Sequence, residues 1–301
     1  MKRFVRRLAV IAVGLGMATP ALAQDPMQDV TIEATYVNEN IYMLTGQGGN
    51  IGLSVGTDGP FIIDDQFAPL TEKIKIAIAA VTEGDVRFVL NTHWHFDHTG
   101  GNENFGEAGA LIVAHENVRK RMTTEQFLEA FDMRIPPSPK VALPVITFTD
   151  AATFYWNGET IRALHVEDAH TDGDAIIHFE SANVFHMGDT FFNGIYPFID
   201  AGSGGSIHGV IAAVDRVLEM TTIGTKIIPG HGPLADPDDL RTYRAMLVTV
   251  RDRLQTMIAD GKTDEQIVAA KPTADLDADW GGGSFEPDQW VGIVLAGMRQ
   301  N

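Results

Sequence analysis

The chain has no cysteine among its 301 residues. That absence excludes disulfides, thiolate metal sites, iron–sulfur clusters, a cysteine nucleophile and cysteine lipidation. Basic residues are scarce as well: 22 Lys and Arg stand against 40 Asp and Glu, a formal net charge of -18. Phosphate recognition needs a basic footprint, so neither nucleic acid nor an anionic membrane surface is an expected partner. No apolar run approaches the roughly 20 residues of a spanning helix, so no membrane span is expected. What remains is a globular composition, 45% hydrophobic and 21% charged, with enough apolar material for a large core.

The first residues read as an export address. Lys2, Arg3, Arg6 and Arg7 form a basic n-region, Leu8 to Met17 an apolar stretch, and Ala21-Leu22-Ala23 a small-x-small cleavage site. Residues 1–23 are therefore expected to be a secretory signal peptide, and residues 24–301 the working domain. Arg6-Arg7 is a twin arginine, but Leu8-Ala9-Val10 fits the Tat pattern poorly, which favours Sec export. Cleavage near Ala23 removes these four cations and no acid, taking the net charge from -18 to -22. A periplasmic or secreted location follows, in a compartment that permits disulfides and a chain that does without them.

The rest alternates strand and helix. Thr31–Val37, Ile41–Leu44, Ile51–Val55 and Phe61–Ile63 are β-favouring runs separated by glycine-rich or Asp-Gly turns, which predicts an antiparallel meander. Thr71–Val81 puts Ile74, Ile78 and Val81 on one helical face, and Val86–Leu90 and Ala110–Ala114 read as short buried strands. A polar helix is expected from Glu116 to Met122, and a loop over Ile135–Pro144, which holds four prolines. A second β-rich block follows: Ile146–Phe148, Thr153–Trp156, an Asn157-Gly158 turn, Thr160–Val166, Ala175–Phe179 and Asn183–His186. Ile207–Met220 and Lys226–Ile228 repeat the order helix then strand. Asp236 is the expected N-cap of a long helix with Pro237 at its first position, and Thr263 with Gln266 forms a capping box for another. Two β-rich blocks, each followed by helices, predict two sheets packed face to face with helices outside.

Five of the ten histidines point at one site. Residues 93–98 read His93-Trp94-His95-Phe96-Asp97-His98, directly after a strand and before Gly100-Gly101. In a compact turn His93 and His95 can bind one metal while Asp97 and His98 reach a second. Imidazole and carboxylate at this density suit Zn(II), and also accept Fe or Mn. Three further segments each offer a donor next to an apolar run and beside glycine: His170 in Ala169–Asp174, Asp189 in Gly188-Asp189-Thr190, and His231 in Pro229-Gly230-His231-Gly232.

These strings, H-x-H-x-D-H, AHTDGD, MGDT and PGHG in that order, resemble the motifs of the metallo-β-lactamase superfamily, and the resemblance runs from about Val30 to the C-terminal helices. It implies an α/β fold, the four-layer αβ/βα sandwich of two mixed sheets with helices outside. It implies two zinc ions, the first held by His93, His95 and His170, the second by Asp97, His98 and His231, with Asp189 bridging. A bridging hydroxide would be the nucleophile, and Asp97 is the residue assigned to catalysis. The resemblance thus implies an exported dinuclear zinc hydrolase of small-molecule carbonyl substrates, with β-lactam ring opening the best nameable activity. Dedicated β-lactamases commonly carry cysteine or serine where this chain has Asp189, and the cysteine type carries lysine where it has Phe192. Aspartate there is the choice of glyoxalase II-like thioesterases, lactonases and tRNA-processing nucleases, and the export signal and acidity argue against the last.

Other residues carry weaker expectations. Thr171, Asn193, Tyr196 and His208 are the candidate substrate-binding residues. Asp64 ends a strand at the same edge and is placed to hydrogen-bond the back of a ligand histidine. His115 is expected to cap or pack on its helix, and His165, His178 and His186 to be strand positions. The apolar segments Phe131–Val145 and Phe191–Phe198 are candidate cleft walls. Two alternative functions are a thioester or lactone hydrolase, and a non-catalytic accessory protein of a periplasmic quinoprotein system, the latter suggested by DADWGGGSFEPDQW near the C-terminus.

Overall fold

A computed structural model describes residues 27–300; the predicted signal peptide lies outside the described residues. The first sheet begins with the expected meander, β1 (Glu33–Asn38), β2 (Ile41–Thr45), β3 (Ile51–Ser54) and β4 (Phe61–Ile63), all antiparallel. Helix α1 (Thr71–Ala79) then crosses to β5 (Phe88–Leu90), which lies parallel to β4. Two short helices, α2 (Phe96–Thr99) and α3 (Asn102–Glu107), lead to β6 (Leu111–His115), again parallel. Next come α4 (Glu116–Met122), a hairpin of β7 (Gln126–Leu128) and β8 (Met133–Ile135), and β9 (Ile146–Phe148), which closes the sheet beside β6. The second sheet holds β10 (Ala151–Trp156), β11 (Glu159–His165), β12 (Ala175–Phe179) and β13 (Val184–His186) as an antiparallel ladder. Helix α5 (Ile207–Met220) carries the chain to β14 (Lys226–Ile228), parallel to β13. Helices α6 (Pro237–Ala259), α7 (Asp264–Ala269), α8 (Asp277–Trp280) and α9 (Pro287–Gln300) complete the chain.

The layering follows from the two-residue period of a strand. In β4, Phe61 and Ile63 point inward and meet Ile161, Ile177, Phe179 and Ile228 of the second sheet. Ile62, between them, points outward into a cluster with Ile74 and Ile78 of α1 and Phe105 of α3. The second sheet divides in the same way. Val184 and Ile228 face the first sheet, while Phe185 and Ile227 face Val210, Val214 and Val217 of α5 and Leu247 and Val250 of α6. The result is the four-layer αβ/βα sandwich. No helix among the described residues is long and apolar enough to cross a membrane.

The structure departs from the sequence reading at three places. The β7–β8 hairpin was not anticipated: its strands are three residues each, too short for a periodic signal, and Asp132 turns the corner with φ of 48°. Helices α2 and α3 are too short to show an apolar stripe. Helix α9 carries a legible stripe, Trp290, Val291, Val294 and Leu295, all buried, behind Pro287 at its first turn. Both capping boxes form, Asp236 with Asp239 and Thr263 with Gln266.

Candidate metal centre

The parallel strands β4, β5, β13 and β14 end at one edge of the sandwich, and each delivers a polar segment there. Ile63 is followed by Asp64 and Asp65, Leu90 by the segment reaching His93 and His98, His186 by Gly188-Asp189, and Ile228 by Pro229-Gly230-His231. His170 arrives from the turn before β12. Two donor groups result. His93, His95, His170 and Asp189 form one and Asp97, His98 and His231 the other, and within each group the donor atoms lie within 4.8 Å of one another. Asp189 touches both, its Oδ2 being 3.5 Å from His170 Nε2 and 3.4 Å from His231 Nε2. Asp97 Oδ2 lies 3.3 Å from His231 Nε2 and 3.7 Å from His98 Nε2. Glycine makes this convergence possible. A Cβ on Gly230 would stand 2.1 Å from Asp189 Oδ1, and one on Gly49 2.1 Å from the His98 ring.

The outward nitrogens of four imidazoles are engaged, which sets the tautomers. His93 Nδ1 lies 3.1 Å from Thr92 Oγ1, whose own proton goes to Asp64 Oδ2 at 2.8 Å. The same Asp64 Oδ2 takes the His98 Nδ1 proton at 2.8 Å. His95 Nε2 donates to Asp200 Oδ2 at 3.1 Å, and His170 Nδ1 to the Phe198 carbonyl at 2.7 Å. The inward nitrogens of His93, His95 and His170 are therefore lone pairs. His170 Nε2 and His95 Nδ1 face each other at 2.8 Å with both protons spent elsewhere. His93 Nε2 is buried and makes no hydrogen bond. Converging lone pairs and an orphaned buried acceptor are an arrangement that a cation satisfies and that protein alone leaves costly. The residues fit a metal.

The electrostatics divide the two groups. Burial, reinforced by His98, holds His93 well below the ordinary histidine range, and burial lowers His170 to about 4. Burial pushes the second group's histidines the same way but loses to the carboxylates. Asp189, Asp97 and Asp64 raise His98 well above its usual value, and Asp189 with Asp97 raises His231 to about 9. Against the same burial, the cationic rings of His98 and His231 hold Asp189 well below the carboxylate range. Protons on His98 and His231 thus occupy the place a cation would take.

A cleft of about 220 Å³ opens from these residues, lined by His95, Asp97, Asp189 and His231 and walled by Phe67, Phe96, Phe131, Phe192, Ile195, Tyr196, Phe198 and Phe285, with Ser284. Both apolar segments singled out in the sequence contribute. Three of the four candidate substrate residues spend their polar groups within the protein, and the fourth lines a separate groove. Thr171 is buried and gives its hydroxyl to Asp174 at 2.6 Å, bracing the turn that carries His170. Asn193 donates to the Pro233 carbonyl at 3.0 Å, tying the segment after β13 to the one after β14. Tyr196 lends the cleft its ring, but its hydroxyl goes to Asp277 at 2.9 Å. His208 is exposed on α5 and lines a separate groove with Asp150, His165, Glu167 and Arg216. His115 caps α4 through its Nδ1 and stacks on His165 with ring centres 3.8 Å apart. Sequence reasoning missed Asp200, Thr92 and Phe285. Asp200 stands 105 residues from His95, and its one local sign is the glycine-rich turn it caps.

The two-sheet sandwich and the His/Asp donor cluster at its edge define a metal-binding type of αβ/βα protein. The profile of the Metallo-beta-lactamase superfamily matches residues 35–251, and the chain belongs to that superfamily. Hydroxyacylglutathione hydrolase of Polaromonas sp. is 27% identical over 61% of this chain and 66% of its own length. Lactamase-like protein aptB of Emericella nidulans is 29% identical over 65% of this chain and 56% of its own. The chain thus spans less than two thirds of either relative. A metallo-beta-lactamase from Pontibacter korlensis shares the fold, with a TM-score of 0.59 at 18% identity over 72% of this chain and 99% of that one.

Proposed function

We propose that the protein is an exported dinuclear metal hydrolase, zinc being the first metal to test, that cleaves a carbonyl–heteroatom bond of a small molecule. The observation that carries this reading is the pair of donor groups that share Asp189 and open into one cleft. His93, His95, His170 and Asp189 would hold one cation, and Asp97, His98, His231 and Asp189 the other. When bound, such a pair lowers the pKa of a water molecule and polarises a carbonyl oxygen. The chain supplies the rest. Asp64, Thr92, Asp200 and the Phe198 carbonyl hold the imidazoles in one tautomer and orientation. The aromatic walls exclude bulk water and seat the substrate body beside Asp97 and Asp189. In the reaction a water oxygen bonds to the carbonyl carbon, the carbon–heteroatom bond breaks, and the water's proton ends on the leaving heteroatom. Asp97 lines the cleft with its side chain 22% exposed, and is the carboxylate placed to pass that proton.

Ester and thioester hydrolysis lead the reading, because Asp189 stands where the cysteine-type β-lactamases have a thiolate. β-Lactam opening breaks a carbonyl–nitrogen bond by the same steps and is the second nameable activity. Protein purified without added metal should contain two metal ions per chain and turn over at least one of nitrocefin, S-lactoylglutathione, an acyl lactone and a p-nitrophenyl ester. Two metals with no turnover on any of them would sink the reading. Export is tested by N-terminal sequencing of periplasmic protein, expected to begin at Gln24; a cytosolic chain beginning at Met1 would overturn it.

A further inference from the structure

We propose that the cleft selects uncharged esters or lactones carrying an alkyl or aryl group, and that Phe198 sets the length of group it accepts. The proposal rests on the hydrolase reading and narrows it to a substrate class.

The wall is built from three distant segments whose rings meet, one pair edge to face and two pairs tilted. Phe131 sits between β7 and β8, Phe198 after β13, and Phe285 before α9. Their ring centres are 5.2 Å apart for Phe131 with Phe198, 5.2 Å for Phe131 with Phe285, and 5.6 Å for Phe198 with Phe285. Phe192 covers the opposite side, lying over the His231 ring at 4.9 Å and 20°. No lysine or arginine lines the cleft. A carboxylate on the substrate body would lose its water among phenyl rings with no lysine or arginine to receive it, the cleft's two histidines, His95 and His231, being proposed metal ligands, and the chain carries a net charge of -18. An apolar group loses nothing there and gains from burial.

Phe198 is also the wall of a second hollow. Beside it, between the β7–β8 hairpin and α9, lies a space of about 310 Å³ lined in part by small residues, Ala130, Ala201 and Gly292 among them, with Glu129, Asp200 and Gln289 at its polar side. A Cβ on Gly292 would meet no atom within 4 Å, so the space is open on that side. Phe198 is the one residue that lines both this hollow and the 220 Å³ cleft. It also stacks on His95 with ring centres 5.5 Å apart, so a chain that fills the cleft stops against a ring held in place by the site itself.

The test is kcat/KM of zinc-loaded protein on p-nitrophenyl esters from acetate to dodecanoate, with matched pairs ending in a methyl ester or a free carboxylate. Wild type should gain up to about fourfold per methylene until the cleft is full, then fall. It should disfavour the distal carboxylate by about a hundredfold. Phe198→Ala should move the optimum to longer chains, and Phe198→Leu should move it less. Phe131 is 44% exposed and outside the core, and its change to Ala should reduce the gain per methylene without moving the optimum. Calorimetric Kd values of neutral N-alkyl acetamides give a second readout that needs no turnover. A length preference in Kd that Phe198→Ala extends, without turnover of any ester, thioester, lactone or nitrocefin, would sustain the cleft assignment and overturn the hydrolase reading. Turnover that ignores chain length and distal charge, with Phe198→Ala unchanged, would overturn this inference and leave the hydrolase reading intact.

Discussion

Metal binding to the two donor groups should respond differently to pH. In the metal-free protein His231 is raised to about 9 and His98 well above its usual value, so both carry protons at pH 7. A cation entering their group must displace those protons, and its affinity rises with pH by up to tenfold per unit for each proton released, levelling off above about pH 9. For His231 alone, two units separate pH 7 from its pKa, a penalty of about 2.7 kcal/mol or a hundredfold in affinity. This is an upper bound, because a cation already in the first group takes up Asp189 and weakens the field that holds the protons. His93 and His170 are depressed and neutral at pH 7, so neither of these ligands of the first group needs a proton displaced. Calorimetric titration of zinc into metal-free protein, in buffers of different ionisation enthalpy from pH 6 to 9, measures both quantities. The tighter equivalent should release almost no proton and hold a flat affinity, while the weaker releases one to two. Equal pH slopes for the two equivalents, or proton release confined to the first, would refute the assignment.

Other expectations follow from the same contacts. The raised pKa values of His98 and His231 contribute stability that is full below about 6.5 and lost as pH rises through about 9, so the Tm of metal-free protein should fall over that window. Asp174, raised by burial to about 8, acts in the same direction, and bound metal should flatten the His98 and His231 part of the slope. Asp64→Ala removes the acceptor of both His98 Nδ1 and Thr92 Oγ1, and Asp200→Ala that of His95 Nε2. Each should lower metal affinity about 10- to 100-fold, read by competition with a chelator, with Asp64→Ala weakening both sites and Asp200→Ala the first only. Trp290 is fully buried, stacks on Tyr196 and donates to the Pro197 carbonyl at 2.6 Å. Trp290→Ala should cost about 3–5 kcal/mol in urea denaturation.

The donors were legible in the sequence because each lies in a short run at a strand end. His93, His95, Asp97 and His98 fall within six residues, Asp189 and His231 each stand beside glycine just after a strand, and His170 lies three residues before Gly173 in the turn that leads to β12. Such placement survives an error of a residue or two in a strand boundary. Asp64 could be placed for the same reason, as the residue directly after β4. The cleft wall was legible only as apolar stretches. Whether Phe131, Phe198 and Phe285 meet depends on where the β7–β8 hairpin and α9 pack, and neither element was read. Thr171, Tyr196 and Asn193 carry polar groups whose partners the sequence leaves open. Each polar group lies near the donors in sequence or space, yet each is spent on a backbone turn, a loop tie or a distant aspartate.

The missing cysteine acquires a local meaning once the donors are in place. At the shared position a carboxylate brings two oxygens, and Asp189 uses them to face both groups at once, Oδ2 toward His170 and His231 and Oδ1 toward His98 at 3.0 Å. A thiolate offers a single atom. The Asp189 charge then reaches histidines of both groups, raising His98 and His231 and opposing the burial that lowers His93 and His170. The protons of the metal-free second group and the metal ions therefore compete for one carboxylate. That competition makes the two groups a coupled pair rather than two neighbouring sites, because whatever enters the first alters the charge that holds the second.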